Sequence, residues 1–292
     1  MESNNTDTYQ IVALLLGNGF DIANNFKTSY CDFVESDVFK ALLVSNNALA
    51  THIYNIKKLY NWVDVETEIG NYSFQLEKNT PPTKQREVTF LFLEEYTALK
   101  KALYQYINSM NSHTTNPKME ALIDKWLNLT IPDYNTKLFI VNFNYNLWDH
   151  IRFFNNAIKE NLIGGQPLHI HGRTDYTVSE ADNIVLGVDD RSIRGTSHNF
   201  IVKAFDNQTR DKEYFNTILK ASKYIIFGCS IGGTDIRYFK PIFEKSKEKD
   251  FEIFGYGKIG LADVQSNIAK MCDFDIFKTS NNVSFIDSSD FS

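Results

Sequence analysis

A chain of 292 residues with 43% hydrophobic and 14% aromatic residues can bury a sizeable core, which excludes a mostly disordered protein and allows one large domain or one domain with an insertion. Its 30 basic and 36 acidic residues give a formal net charge of -6, and the basic clusters are short (Lys57, Lys58 and Lys245, Lys247, Lys249), so nucleic acid is not expected as a partner. Cys31, Cys229 and Cys272 are widely spaced without CxxC, which indicates neither a disulfide framework nor a cysteine-rich zinc site. The first ten residues are polar, and no apolar run approaches the roughly 20 residues of a membrane helix, so the chain reads as soluble, cytoplasmic and without a membrane partner.

Six apolar residues at 11–16 run straight into Gly17, Asn18 and Gly19. Such a run reads as a buried parallel strand with a tight loop at its carboxyl end, where open α/β sheets hold their ligands. Glycine there lets backbone amides approach a phosphate or ribose; the plainer alternative is a strand-to-helix turn that needs glycine only for packing. The stretch departs from the GxGxxG of dehydrogenases, because position 22 is Ile22 and no second strand with an acidic end follows soon. Thr28 or Ser29 can cap a helix starting near Tyr30, with Asp32 completing a partial capping box. From about 38 to 127 helical periodicity prevails, clearest at Val88, Leu91, Tyr96, Leu99, Leu103 and Ile107, and Pro81 with Pro82 divides it.

After Lys137 short apolar runs alternate with helical patterns. Strands are predicted at 138–143, 168–171, 184–188, 224–227, 251–256 and 283–286, and helices at about 146–159, 198–221, 234–247 and 261–271. The expected fold is α/β: a Rossmann-like, doubly wound, mainly parallel sheet formed by 1–37 and 131–292, with a helical insertion at 38–130. The strand ends carry Asn142, Asn144 and Asn146; His171 and Gly172; and Gly228, Cys229 and Ser230, with Asp235 shortly after. In a doubly wound sheet these ends share one rim and converge on one crevice.

The motifs GNGFD, WVDVE, FNYN, HIHG and FGCSIGGTD, in this order over nearly the whole chain, resemble the bacteriophage abortive infection AbiH family, which is more remotely similar to sirtuin-like NAD-binding domains. The resemblance implies a nucleotide-binding site with NAD as substrate and no metal. It places Gly17, Asn18 and Gly19, followed by Phe20 and Asp21, at the phosphate loop. Asn144 falls near the ribose and nicotinamide, His171 takes the catalytic position with Gly172 behind it, and Gly228, Ser230 and Asp235 form the later cofactor loop. Asp64 and Glu66 of WVDVE are accessory groups, and Asn146 stands where the sirtuin-like pattern has aspartate. Three scattered cysteines cannot build the four-cysteine zinc module of sirtuin deacetylases, so protein deacetylation is not implied. The implied activity is hydrolysis of NAD to nicotinamide and ADP-ribose in anti-phage defence, with a phage-derived trigger or partner protein and a homo-oligomer left open.

The residue types suit that chemistry. Nicotinamide leaves a cationic pyridinium as a neutral amine, so no acid need protonate it, and a polar orienting group with a base of near-neutral pKa suffices; Asn144 and His171 are such groups. Two rivals stand. His169 and His171 alternate along one strand, a spacing metal sites use, and Asp189 with Asp190, or Asp64 with Glu66, could complete a metal-dependent phosphoesterase or nuclease. Against it, Asp189 and Asp190 read as a solvated turn and Asp64 and Glu66 as a charged helix face. Asn146 in place of aspartate favours the other rival, a non-catalytic nucleotide-binding sensor. Cys229 and Ser230 read as loop residues rather than nucleophiles.

Overall fold

The computed structural model describes residues 10–61, 63–110, 116–129, 136–145, 167–172, 184–189, 198–206 and 211–291. Trp62, Asn146, Asp190 and the helix expected at 146–159 lie outside them. Among the described residues, six strands, β1 Gln10–Leu16, β2 Thr136–Asn142, β3 Leu168–His169, β4 Lys223–Phe227, β5 Asp250–Gly255 and β6 Asn282–Asp287, form one sheet in the order β3-β2-β1-β4-β5-β6. Every neighbouring pair is parallel. This is a doubly wound order, and its reversal falls between β1 and β4.

The apolar run of β1 is continuous because both its faces are covered. Val12, Leu14 and Leu16 point into a cluster with Trp126, Ile123 and Phe227, whereas Ala13 and Leu15 point into another with Tyr214, Tyr238 and Ile242. Burying each leucine contributes about 1.5–3 kcal/mol. Among the described residues, seven helices lie between β1 and β2: α1 Asn18–Ala23, α2 Tyr30–Glu35, α3 Asp37–Val44, α4 Ala48–Tyr60, α5 Val65–Asn79, α6 Gln85–Asn108 and α7 Pro117–Asn128. Side chains of Ser29, Ser36, Asn47, Asp64 and Asn116 cap five of them by accepting backbone N–H bonds. The expected capping by Ser29 is present: its Oγ accepts from Asp32 N at 3.1 Å and donates to Asp32 Oδ2 at 2.5 Å. A short 3-10 turn at Pro82–Lys84 separates α5 from α6, because proline cannot continue the preceding helix.

These helices serve two cores. Phe33, Phe39, Ile53, Ile69, Phe92 and Leu99 form a cluster of their own, joined by Tyr145, Leu186, Val188 and Ile201. Helix α7 instead buries Met119, Ile123 and Trp126 against the sheet. Later helices are α8 Asp211–Ile218, α9 Ile236–Lys245, α10 Gly257–Ala269 and α11 Phe274–Ser280.

Three expected elements differ. No single helix spans 198–221; two 3-10 turns, Asn199–Ile201 and Lys203–Phe205, precede α8. Ile201, Val202 and Lys203 are buried in succession, which a one-sided helix could not do. The run at 184–188 is not a sheet strand: Ile184 bridges Gly172 and Val188 bridges Val202, and its side chains feed the helical cluster. The strand expected at 168–171 ends at His169, and Ile170 and His171 turn away.

Beneath α5 and α6 lies His198, 0% exposed, with Nδ1 2.8 Å from Ser73 Oγ, Nε2 3.3 Å from Thr89 Oγ1 and its ring 4.9 Å from that of Phe92. Burial lowers its pKa against the opposing pull of Glu77. The folded state thus prefers the neutral ring, and the unfolded chain takes the proton first as pH falls below the ordinary value of 6.5. Stability from this group is present above that value and lost as pH falls through the depressed one. Urea midpoints measured between pH 7.5 and about 5 should decline, and less steeply in His198→Gln.

Candidate functional site

At the reversal point the loops after β1 and β4 interlock. Gly17 N donates to Phe227 O and Gly19 N to Gly228 O, both at 2.9 Å. A Cβ on Gly17 would stand 2.6 Å from Gly228 O, and one on Gly19 2.6 Å from Gly228 Cα. Gly228 has φ +70, and its Cβ would stand 2.3 Å from Phe20 N. The close approach these glycines permit is therefore that of one loop to the other. Gly228→Ala combines a left-handed backbone with a main-chain clash, and a loss of about 2–4 kcal/mol is expected in urea denaturation.

Beside this junction opens a cavity of about 460 Å³. Among the residues singled out in the sequence, Gly17, Asn18, Asp21, Asn144, His171, Gly228, Ser230 and Asp235 line it, together with Asp64 and Glu66 from the helical segment. Gly19, Phe20 and Gly172 are not on its wall. Phe20 points the other way, into the core, with its ring 6.0 Å from Phe227 and 6.5 Å from Trp126. Asn144 staples β2 to the first loop: its N–H donates to Asn142 Oδ1 at 2.9 Å and its Nδ2 to Gly17 O at 3.0 Å. Val63, Leu103, Ile107, Phe143 and Phe239 supply apolar wall.

The polar centre is organised by a residue the sequence reading did not select, Lys203. It is 0% exposed at the side chain and donates to Glu66 Oε2 and Asp235 Oδ1, each at 2.9 Å. His171 Nε2 lies 2.9 Å from Asp235 Oδ1 and 3.3 Å from Lys203 Nζ. Burial works against the ammonium, yet Asp235 and Glu66 together hold its pKa above the ordinary value. Burial alone would raise Asp235, but Lys203 and His171 beside it hold its carboxyl well below the usual range. Glu66 goes the other way: burial pushes its pKa up, and the pull of Lys203 only partly offsets this. Its Oε1 accepts from Gly187 N at 3.3 Å.

Glu66 is 5% exposed, so the expectation of a charged helix face is overturned for it. The first turn of α5 enters the site because Val65, Glu66, Ile69 and Ser73 form the buried side of that helix. Asp64 is its cap, with Oδ1 accepting from Glu66 N at 3.1 Å and Thr67 N at 3.3 Å. Asp189, 1% exposed, is likewise no solvated turn. His169 and His171 do not act as a pair: His169 Nδ1 is 3.3 Å from Asn142 Nδ2, whereas His171 turns to Asp235. Among the described residues no group of three or more His, Cys, Asp or Glu is arranged to hold a metal ion. The ammonium of Lys203 itself occupies the space between Glu66, Asp235 and His171.

Two tyrosines were also missed. Tyr30 and Tyr145 line the cavity, and the Tyr145 hydroxyl donates to Val185 O at 3.0 Å. Burial first, then Glu66, pushes both phenols well above their usual pKa, so they stay neutral. Cys229 is a packing residue: it is buried, and burial with Asp235 nearby raises its thiol pKa well above the ordinary value. Ser230 is exposed, and its carbonyl accepts from Asn267 Nδ2 at 3.1 Å. The sequence held one signal for Lys203. It sits in FIVKAF, a lysine inside an apolar run, where a charge persists only if partners surround it.

A parallel sheet in this order, with an aspartate–histidine pair walling a cavity at its reversal and an internal ammonium behind that pair, defines a doubly wound α/β protein with a polar site at the ligand position of such sheets. The profile of the bacteriophage abortive infection AbiH family matches residues 13–256, and the chain belongs to that family. Its setting is therefore anti-phage abortive infection. No curated protein matches the sequence. Among the described residues, no helix is long and apolar enough to cross a membrane.

Proposed function

We propose that this protein is an NAD-cleaving hydrolase, converting NAD⁺ and water to nicotinamide and ADP-ribose, and that it aborts infection by depleting the cofactor. The observation that carries this reading is the His171–Asp235 pair on the wall of the cavity at the sheet reversal. Asp235, kept ionised, accepts the Nε2 proton of His171 and so leaves the lone pair on Nδ1. The hydrogen bond to Asp235 runs through Nε2, and Lys203 Nζ, a donor that a protonated Nε2 cannot accept from, only packs against that edge at 3.3 Å, so Nδ1 is the edge assigned as base. As the bond between the ribose C1′ and the pyridinium nitrogen breaks, its electron pair departs with neutral nicotinamide. Water adds to C1′, and its proton passes to His171. Asn144, held by Gly17, orients the ribose.

The test is direct: purified protein incubated with NAD⁺ should release free nicotinamide, and EDTA should leave the rate unchanged. Absence of nicotinamide would overturn the reading. Loss of activity with EDTA, restored by a divalent cation, would select metal-dependent chemistry instead.

A further inference from the structure

Resting on the NAD-hydrolase reading, we infer that Glu66 is a second catalytic group, a carboxylate that faces the ribose and stabilises the positive charge developing at C1′ as nicotinamide leaves. Breaking that bond turns the ribosyl carbon into an oxocarbenium-like centre, and sites that cleave glycosidic bonds place a carboxylate beside it. Two carboxylates line this cavity close to His171, and their hydrogen bonds divide their work. Asp235 Oδ1 takes both His171 Nε2 and Lys203 Nζ, which commits it to holding the base. Glu66 takes Lys203 on Oε2 and the long Gly187 contact on Oε1, two bonds on a group with about four acceptor positions. It is thus held in orientation with acceptor capacity left.

Glu66 and His171 line the same cavity, and one ammonium ties them together, 2.9 Å from Glu66 Oε2 and 3.3 Å from His171 Nε2. A sugar carbon lodged in that cavity meets the negative charge of Glu66 while His171 Nδ1 receives the proton of the attacking water. In a site closed to bulk water such a fixed charge acts far more strongly than in solution. Burial already disfavours the charged form of Glu66 in the free protein, and a cation forming beside it relieves that cost.

The plainer account is that Glu66 only ties α5 to the Lys203 turn, and the two accounts separate in kinetics. Glu66→Gln preserves shape and the Gly187 acceptor. We expect kcat for nicotinamide release to fall about a hundred- to a thousandfold, while KM and the calorimetric Kd for NAD⁺ change less than about threefold. Glu66→Asp keeps the charge that Lys203 needs but withdraws it by one methylene, and kcat should fall at least about tenfold with the melting temperature held. Either variant folded with undiminished kcat overturns the role of Glu66, as does a raised Kd with kcat unchanged. A wild-type protein that releases no nicotinamide removes the underlying reading and this inference with it.

Discussion

Replacing Lys203 by methionine is expected to destabilise the fold by about 3–5 kcal/mol, because it leaves two buried carboxylates without their cation. The ammonium is fully enclosed and ion-paired to Glu66 and Asp235 at 2.9 Å, and no water can take its place at comparable strength. Domains of this kind are stable by only about 5–15 kcal/mol, so the loss is a large share of the total. The sign of the pH dependence identifies the cause. In the wild type, Asp235 has a folded pKa depressed below the ordinary 3.8, so its contribution is present above that value and lost as pH falls through the depressed one. In Lys203→Met both carboxyls are raised by burial, the folded state binds protons more tightly than the unfolded chain, and stability is gained as pH falls. Between pH 7 and about 4 Asp235 adds no slope to the wild type, so the urea midpoint of Lys203→Met should rise relative to that of the wild type as pH falls across this range. Adding Glu66→Gln to Lys203→Met should recover part of the loss, which a double-mutant cycle measures.

His171→Ala should lower kcat for nicotinamide release by about a hundred- to ten-thousandfold, the range for removing a positioned general base. The fold should survive, since Asp235 keeps its bond to Lys203 and the lost contact is worth about 1–3 kcal/mol. Cells expressing the variant should lose both NAD depletion and protection from phage. Asn144→Ala should lower the rate as well, with more structural damage, because Asn144 also clamps the first loop through Gly17. Protection that survives both substitutions would assign the cavity to binding alone, as a nucleotide sensor.

The sheet was legible because its signal is local. Residues 11–16 are apolar at every position since both faces of β1 are covered, and the runs at 138–143, 224–227, 251–256 and 283–286 carry the same imprint into β2, β4, β5 and β6. Ser29 and Pro82 act on their immediate neighbours and were readable for that reason. The convergence of Asn144, His171, Ser230 and Asp235 followed from the topology, since parallel strands deliver their ends to one rim.

Other placements depend on partners that no local pattern contains. A lysine and a glutamate are ordinarily surface residues, and Lys203 and Glu66 are inside only because each neutralises the other across 137 positions of chain. The same holds for the stretch around Lys203, which abandons the helix its composition suggests in order to bury three successive side chains. Phe20 shares the glycine motif with Asp21 yet faces the opposite core, because α1 turns it toward Trp126 while Asp21 meets the cavity. The sequence by itself thus determined a parallel doubly wound sheet, the helical segment after its first strand and the strand ends that meet. Only the tertiary structure decided which charges lie inside, because the stability of a buried charge depends on the distance to its counter-charge rather than on its neighbours in sequence.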